Sequence, residues 1–565
     1  MPGYMTSTVV SAALDKFAGD YPDTCTRFSW LAGPAGASAG YVLVKKAVAS
    51  SPPNRWPVLI SGGVHARELA PPDALVSFLK LLLDAYSKKK SIVYPAWAST
   101  VDPVVYDSFT IDWPSIRSVV EKVDLYVAPL VNADGRDFVL APLPAGTSLT
   151  TQMLHKDWRK NRRPAPVGSA SPYCVGVDLN RNFDIVWDFK KFYNTAIAGV
   201  QTSDQPCNSD LYCGPAQESE PETKNLAGLM RSKQISFFLD VHQYSRDVMF
   251  SWGIETNQST VADQNFANPA WDGKRDGTLH DTYKEYIPAS AAFAGEAMAK
   301  RMSQWILTKA GGSQAKAQAR SAYKVIPSAD LYVTSGACDD YCFSRWFTAA
   351  TAGAPISPVM ALTIEVGGDP SLGPDNDDGG FSPDYVNQYP KLEREVHAAA
   401  WAFLTAIAAT GFQGPSAPPG PAKDPGTCFI AGAAYGDPGH PAVLFLRDVR
   451  DRQLGATQAG KVIATVLTAG YIRLSPPVAA WLRGRPRMRA AVRAWLLDPL
   501  VALLTHVSDR TRGTPRLRSL ALTLILLLVA VAALTAVAAL AEFLSRAAQL
   551  FLALMREAAT VQGPT

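Results

Sequence analysis

Three residues of this chain could hold a metal ion between them. His65 and Glu68, in His65-Ala-Arg-Glu68, stand three positions apart, a spacing that brings an imidazole and a carboxylate to one side of a turn. His242 closes the run Ile235-Ser-Phe-Phe-Leu-Asp-Val-His242. That largely apolar run reads as a buried strand delivering a side chain to its C-terminal edge. Two imidazoles and one carboxylate fill three of zinc's four tetrahedral positions and leave the last for water, as in a catalytic rather than a structural site. Water held in that way is activated near neutral pH, so the chemistry on offer is hydrolysis. An HxxE spacing also arises by chance on exposed helices, and the case therefore rests on its company.

That company is an ordered set of segments: Asn132-Ala-Asp-Gly135, Trp158-Arg159-Lys-Asn-Arg162, Gly176-Val-Asp178-Leu-Asn180-Arg181-Asn-Phe183 and Leu331-Tyr332-Val-Thr-Ser335-Gly336, with Thr363-Ile-Glu365 after them. In order and type they resemble the zinc carboxypeptidases of the pancreatic carboxypeptidase A/B (funnelin) family, over residues 4–411. The resemblance implies one zinc ion per chain on His65, Glu68 and His242, and hydrolysis of the C-terminal peptide bond of peptides or proteins. It makes Glu365 the general base and Arg159 the oxyanion arginine, a fixed guanidinium suited to charge that appears only in the transition state. It assigns Asn180 and Arg181 to the substrate's terminal carboxylate, which a planar guanidinium pairs bidentately. Tyr332 matches the mobile tyrosine that closes over substrate, Arg67 a further substrate-contacting arginine, and Asp178 the carboxylate that orients a zinc-bound histidine, here His65. A complete carboxylate clamp favours an exopeptidase over an endopeptidase.

By the same resemblance, the third position after Ser335-Gly336 lies at the bottom of the pocket for the terminal side chain. Asp339 stands there, as in the carboxypeptidase B branch, which implies a preference for C-terminal Lys or Arg. An unmatched buried carboxylate would be costly, and hence selective. The alternative is a solvated Asp339, or one sharing a broader pocket with Asp340. Departures from the family pattern are Ala133 in place of proline, Gln243 where many relatives have serine, and Ala337-Cys338 in place of a smaller pair. Two other functions are open: trimming of peptidoglycan peptides, whose diaminopimelate side chain also offers Asp339 a cation, and an inactive membrane-bound peptide-binding module.

The elements that must position these residues can be read from patterning. Apolar strands at Trp56–Ile60, Val123–Ala128 and Ile235–Leu239 alternate with helical patterns at Asp73–Ser87, Glu220–Lys233 and Ala289–Lys309. Such alternation predicts an α/β fold with a mixed, mostly parallel sheet sandwiched by helices, whose ligands sit at the strands' C-terminal edge. The first helix is expected over Tyr4–Tyr21 and a closing helix over Lys391–Ala409. Ser87–Ser115, with Lys88-Lys-Lys90, reads as an insertion. The resemblance implies a Cys174–Cys207 disulfide, which would need an oxidising compartment. Cys213 is a competing partner, and Cys338 and Cys342 either pair or stay reduced.

The 565 residues exceed one catalytic domain, and 47% hydrophobic with 18% charged residues is a globular and membrane-compatible composition. The expected organisation is a catalytic domain over 1–411, a Pro-rich linker over 412–427, a helical region over 428–510, and a membrane helix and tail over 511–565. Cys428-Phe-Ile-Ala-Gly-Ala-Ala-Tyr-Gly436 resembles the opening of the CFI-box region of bacterial proteins, implying a bacterial cell envelope. Leu520–Ala541 is an uncharged run of 22 residues, enough to span about 30 Å of hydrocarbon. From Cys428 onward sixteen Lys and Arg face seven Asp and Glu, while the rest carries a net −5. A basic tail beside an apolar run points to anionic lipid, and no nucleic-acid fold signature accompanies it. Arg510, Arg512, Arg516 and Arg518 precede the run and favour a cytoplasmic side for what comes before it, against the disulfide inference. The side of the membrane is open at this level. The first ten residues show neither a basic nor a sustained apolar signal region, so no signal peptide is expected.

Overall fold

The computed structural model describes residues 3–409 apart from 49–54, 99–104, 208–209, 256, 259–260, 262, 278–282, 313–320, 352–358 and 369–377. Beyond them it describes 449, 490, 492, 494 and 498–510. The chain divides into two compact units, Met1–Pro419 and Gly420–Thr565. In the second unit the one described helix with more than isolated residues is Asp498–Arg510. Among the described residues no helix is long and apolar enough to cross a membrane. Leu520–Ala541, the CFI-box-like segment and the Pro-rich linker lie outside the described residues.

An eight-stranded sheet organises the first unit. Its strands in chain order are β1 (Cys25–Phe28), β2 (Tyr41–Val44), β3 (Trp56–Gly62), β4 (Val123–Ala128), β5 (Phe237–His242), β6 (Asp247–Phe250), β7 (Lys324–Pro327) and β8 (Met360–Glu365). Across the sheet the order is β1-β2-β4-β3-β5-β8-β6-β7. The four central strands β4, β3, β5 and β8 are parallel, β1, β2 and β6 join antiparallel, and β7 is parallel to β6. Period-two alternation sends successive side chains to opposite faces. Val58, Ile60, Leu239, Val241, Leu362 and Ile364 accordingly enter one core, while Leu59, Phe238 and Ala361 enter the other.

Helices α1 (Ser7–Asp20), α2 (Ala70–Ser87), α3 (Trp113–Lys122), α6 (Ala289–Trp305) and α8 (Tyr389–Ala409) contribute to the first core. The second takes α5 (Pro221–Ser232) and the start of α7 (Cys338–Thr351). Short α4 (Ala133–Leu140) follows β4. Asp112 caps α3 by accepting from Ser115 N. Pro71 and Pro72 lie in the first turn of α2, where a missing N–H costs nothing.

Three differences from the sequence expectation have local causes. The strand over residues 235–239 instead runs from Phe237 to His242, because Ile235 N closes the end of α5 on Met230 O. The first helix starts at Ser7, where Thr6 supplies the cap. The insertion adds two small antiparallel pairs, Ile92–Tyr94 with Phe109–Ile111 and Trp97–Ala98 with Val105–Tyr106. Arg394 of α8 donates to the carbonyls of Pro95 and Asp107, fastening this insertion to the domain.

Candidate active site

Parallel strands β3, β5 and β8 end together, in registers that pair Gly62 with Val241 and His242 with Glu365. The turn after β3 runs through Gly63, whose φ of +63° and close contacts with Pro72 and Leu130 exclude a side chain. That turn delivers His65 and Glu68 to the edge where His242 is the last strand residue. Asn132 holds it from outside, donating from Nδ2 to Val64 O and accepting from Gly135 N. Ala133 therefore leaves this turn intact, since Asn and Gly do the bonding.

The three residues converge. His65 Nδ1 lies 2.5 Å from Glu68 Oε1, His242 Nδ1 lies 3.1 Å from Glu68 Oε2, and the two Nδ1 atoms are 3.2 Å apart. All three side chains are buried, and their ligand atoms fall within 4.8 Å of one another. Outward, His65 Nε2 is 3.3 Å from Asp178 Oδ1 and His242 Nε2 is 2.9 Å from Asp240 Oδ2. Asp240 meets His242 Nε2 and Asp178 faces His65 Nε2 without a hydrogen bond, an arrangement that leaves the Nδ1 atoms of both rings turned inward. Glu68 Oε2 receives no hydrogen bond. Two inward lone pairs and a buried carboxylate oxygen form a donor set that fits a zinc ion. Burial would raise the Glu68 carboxyl, but the two imidazoles hold it well below the usual range. Burial likewise disfavours charge on His242, and Asp240 and Glu68 outweigh it.

Sequence reasoning missed Asp240, which also accepts from Ser61 Oγ at 2.6 Å. The available signal was a carboxylate within a strand buried on both faces. The role of Gln243 was missed as well. Its Oε1 accepts from Ala70 N, an otherwise uncapped amide of the first turn of α2, and its Nε2 donates to Gly380 O.

Around the triad stand the other predicted residues. Arg159 Nε donates to Asp178 Oδ2 at 2.9 Å, while the other carboxylate oxygen of Asp178 faces His65 Nε2 at 3.3 Å. Burial would raise Asp178, but Arg159, Arg181 and His65 hold it well below the carboxylate range. Arg181 is buried, with Nε on Gln201 O, Nη1 on Asn180 O and Nη2 without a hydrogen-bond partner. Asn180 Oδ1 accepts from Cys338 N at 2.7 Å. Tyr332 is 40% exposed, and the Arg181 guanidinium lies 5.9 Å from its ring centre. Burial pushes the Glu365 carboxyl up to about 8, with His242 opposing. Arg67 pairs with Asp210 at 3.2 Å, donates to Asp157 O and stacks on Phe381, while its Nε has no hydrogen-bond partner.

A cleft is lined by Asn180, Arg181, Tyr332, Ala337, Asp339 and Glu365, among others. Asp339 is buried and accepts from Thr363 Oγ1 at 2.9 Å and Ser328 Oγ at 3.2 Å. Burial raises its carboxyl. Asp340 does not line the cleft itself but accepts from the amide of Gly253, which does. Cys174 and Cys207 form a disulfide, while Cys213, Cys338 and Cys342 are free.

The zinc carboxypeptidase family profile matches residues 10–383. Rat carboxypeptidase B is 26% identical over 283 residues, 50% of this chain and 55% of that protein. Human carboxypeptidase O is 30% identical over 200 residues, 35% of this chain and 40% of that protein. The chain thus spans about half the length, or less, of these curated relatives. Among solved structures, thrombin activatable fibrinolysis inhibitor aligns over 72% of this chain and 75% of its own, at 18% identity and a TM-score of 0.47.

Proposed function

The chain belongs to the zinc carboxypeptidase family, and from that premise we propose that it is a metallocarboxypeptidase releasing single residues, preferentially Lys or Arg, from the C-termini of peptides. One observation carries the reading. The His65, Glu68 and His242 donors and Glu365 share one sheet edge beside a cleft that contains Arg181 and Asp339. A zinc ion on those donors supplies Lewis acidity and lowers the pKa of water towards about 7.

The remaining work falls to the chain's own groups. Arg181 receives the terminal carboxylate, its buried Nη2 being free of other partners, and Asn180 supports it from the neighbouring position. That anchoring sets the last peptide bond, rather than an internal one, against Glu365. Glu365 takes a proton from the attacking water and returns it to the leaving amine. Arg159, held by Asp178, meets the developing oxyanion without having to reorganise. Asp339 receives the cationic side chain, exchanging two hydroxyl donors for a charge partner. A peptidoglycan peptide ending in diaminopimelate would present the same cation. Intact Glu365 and Arg159 speak against an inactive binding module. Attachment to a membrane through Leu520–Ala541 belongs to the same proposal, supported by the uncharged 22-residue run.

The test is hydrolysis of otherwise identical peptides ending in Lys, Arg, Phe or Leu. Release of Lys and Arg should dominate, stop on chelation of zinc and return on its addition. A preference for Phe would remove the basic specificity, and inactivity of zinc-loaded protein towards all four would remove the function.

A further inference from the structure

Four buried charges and a tyrosine form a hydrogen-bonded ring that runs from the backbone carbonyl of the proposed base, Glu365, to the amides of Gly367 and Gly368. Arg246 N donates to Glu365 O at 2.9 Å. The Arg246 guanidinium reaches Asp378 Oδ2 at 2.6 Å from Nη2. Lys391 Nζ bridges Asp378 Oδ2 at 2.7 Å and Glu395 Oε1 at 3.2 Å. Glu395 accepts from Tyr323 Oη at 2.7 Å and from Ser321 Oγ at 2.9 Å. Tyr323 Oη in turn accepts from Gly367 N at 3.1 Å, and Asp378 Oδ2 from Gly368 N at 2.7 Å. The carbonyl of Glu365 and the amides two and three residues beyond it are thus tied into one network.

All of these side chains are buried. Taking two cations and two anions out of water is costly, and well-packed apolar groups often serve stability as well or better. Fixing a conformation is the use such a ring has here. Gly367 has a φ of +86°, so the chain turns sharply just after Glu365. A misplacement of about 1 Å of a catalytic group can cost about 100-fold in rate.

We propose that Arg246, Asp378, Lys391, Glu395 and Tyr323 are positioning residues that fix the Glu365 carboxylate against its substrate. The inference rests on Glu365 acting as proposed above. The ring does not touch substrate, so its loss should lower kcat and leave KM nearly unchanged.

Tyr323→Phe removes the acceptor for Gly367 N without leaving an unpaired charge. The double variant Asp378→Asn with Lys391→Met removes one anion and one cation together and guards against a fold-breaking single change. For a peptide ending in Lys, each should lower kcat per bound zinc by roughly 10- to 100-fold with KM within about twofold of wild type. In a Glu365→Gln background the same changes should cause little further loss, because the group they position is already gone. Equal losses in both backgrounds, or unchanged kcat in folded, zinc-loaded variants, would overturn the proposal while leaving the carboxypeptidase reading intact. An inactive wild type would overturn both.

Discussion

Glu365 and Asp339 are both buried-site carboxylates, yet their surroundings fit them to opposite tasks. Glu365 ends β8 beside His242, where a proton can be taken from water and handed on. Asp339 sits among hydroxyls in the cleft, where the cationic side chain is proposed to pair with it. Glu365→Gln should keep bound zinc and near-normal KM while kcat falls on the order of 100- to 10,000-fold, measured with metal content determined on the same sample. Asp339→Ile should reverse the order of kcat/KM between peptides ending in Lys and in Phe; an unchanged order would show that the cation binds elsewhere. Glu365 is assigned only through the family resemblance, whereas the metal donors are legible in the sequence because each is a reactive type at a constrained position after an apolar run. Asp240 is not, since nothing in Leu-Asp-Val-His says that the aspartate faces a ring two residues on. Arg67 was legible as a type, but its ties to Asp210 and Phe381 depend on chain segments more than a hundred residues away.

Loops and helix ends do the positioning at the scale of elements. The loop closed by Cys174–Cys207 carries Gln201, whose carbonyl holds Arg181 Nε and whose amide donates to Val333 O, next to Tyr332. Just beyond the bridge, Asp210 pairs with Arg67 and Tyr212 O accepts from Asp178 N. Removing the bridge by Cys174→Ser and Cys207→Ser should lower stability by about 3 kcal/mol through freed loop entropy. It should also raise KM more than it lowers kcat, because the clamp rather than the base is loosened. A change in kcat alone would contradict that division. Gln243→Ala should cost about 1 kcal/mol in urea unfolding, since Ala70 N and Gly380 O lose their partner. Central strands and long helices were legible from unbroken or 3.6-period apolar patterns. The outer strands β1, β2, β6 and β7 were not, being four residues each, too short for periodicity to separate them from loops.

At the scale of the whole molecule, every proposed catalytic and binding residue lies within the unit Met1–Pro419, and its cores are completed by α8, which ends at Ala409. A chain ending at Gly414 should therefore fold, remain soluble and match the full-length kcat/KM. The full-length protein should partition with membranes and resist extraction by salt, because burying Leu520–Ala541 would be hydrophobic rather than electrostatic. Release by salt alone would contradict that attachment. The central claim is that the site binds a free C-terminal carboxylate and cuts the adjacent bond. Its most direct test is mass spectrometry of one Lys-terminated peptide supplied as the free acid and as the amide, incubated with zinc-loaded protein. The expected result is loss of a single lysine from the acid and little or no cleavage of the amide, which gives Arg181 no anion to clamp. Equal cleavage of the two, or cutting at an internal bond, would contradict the account.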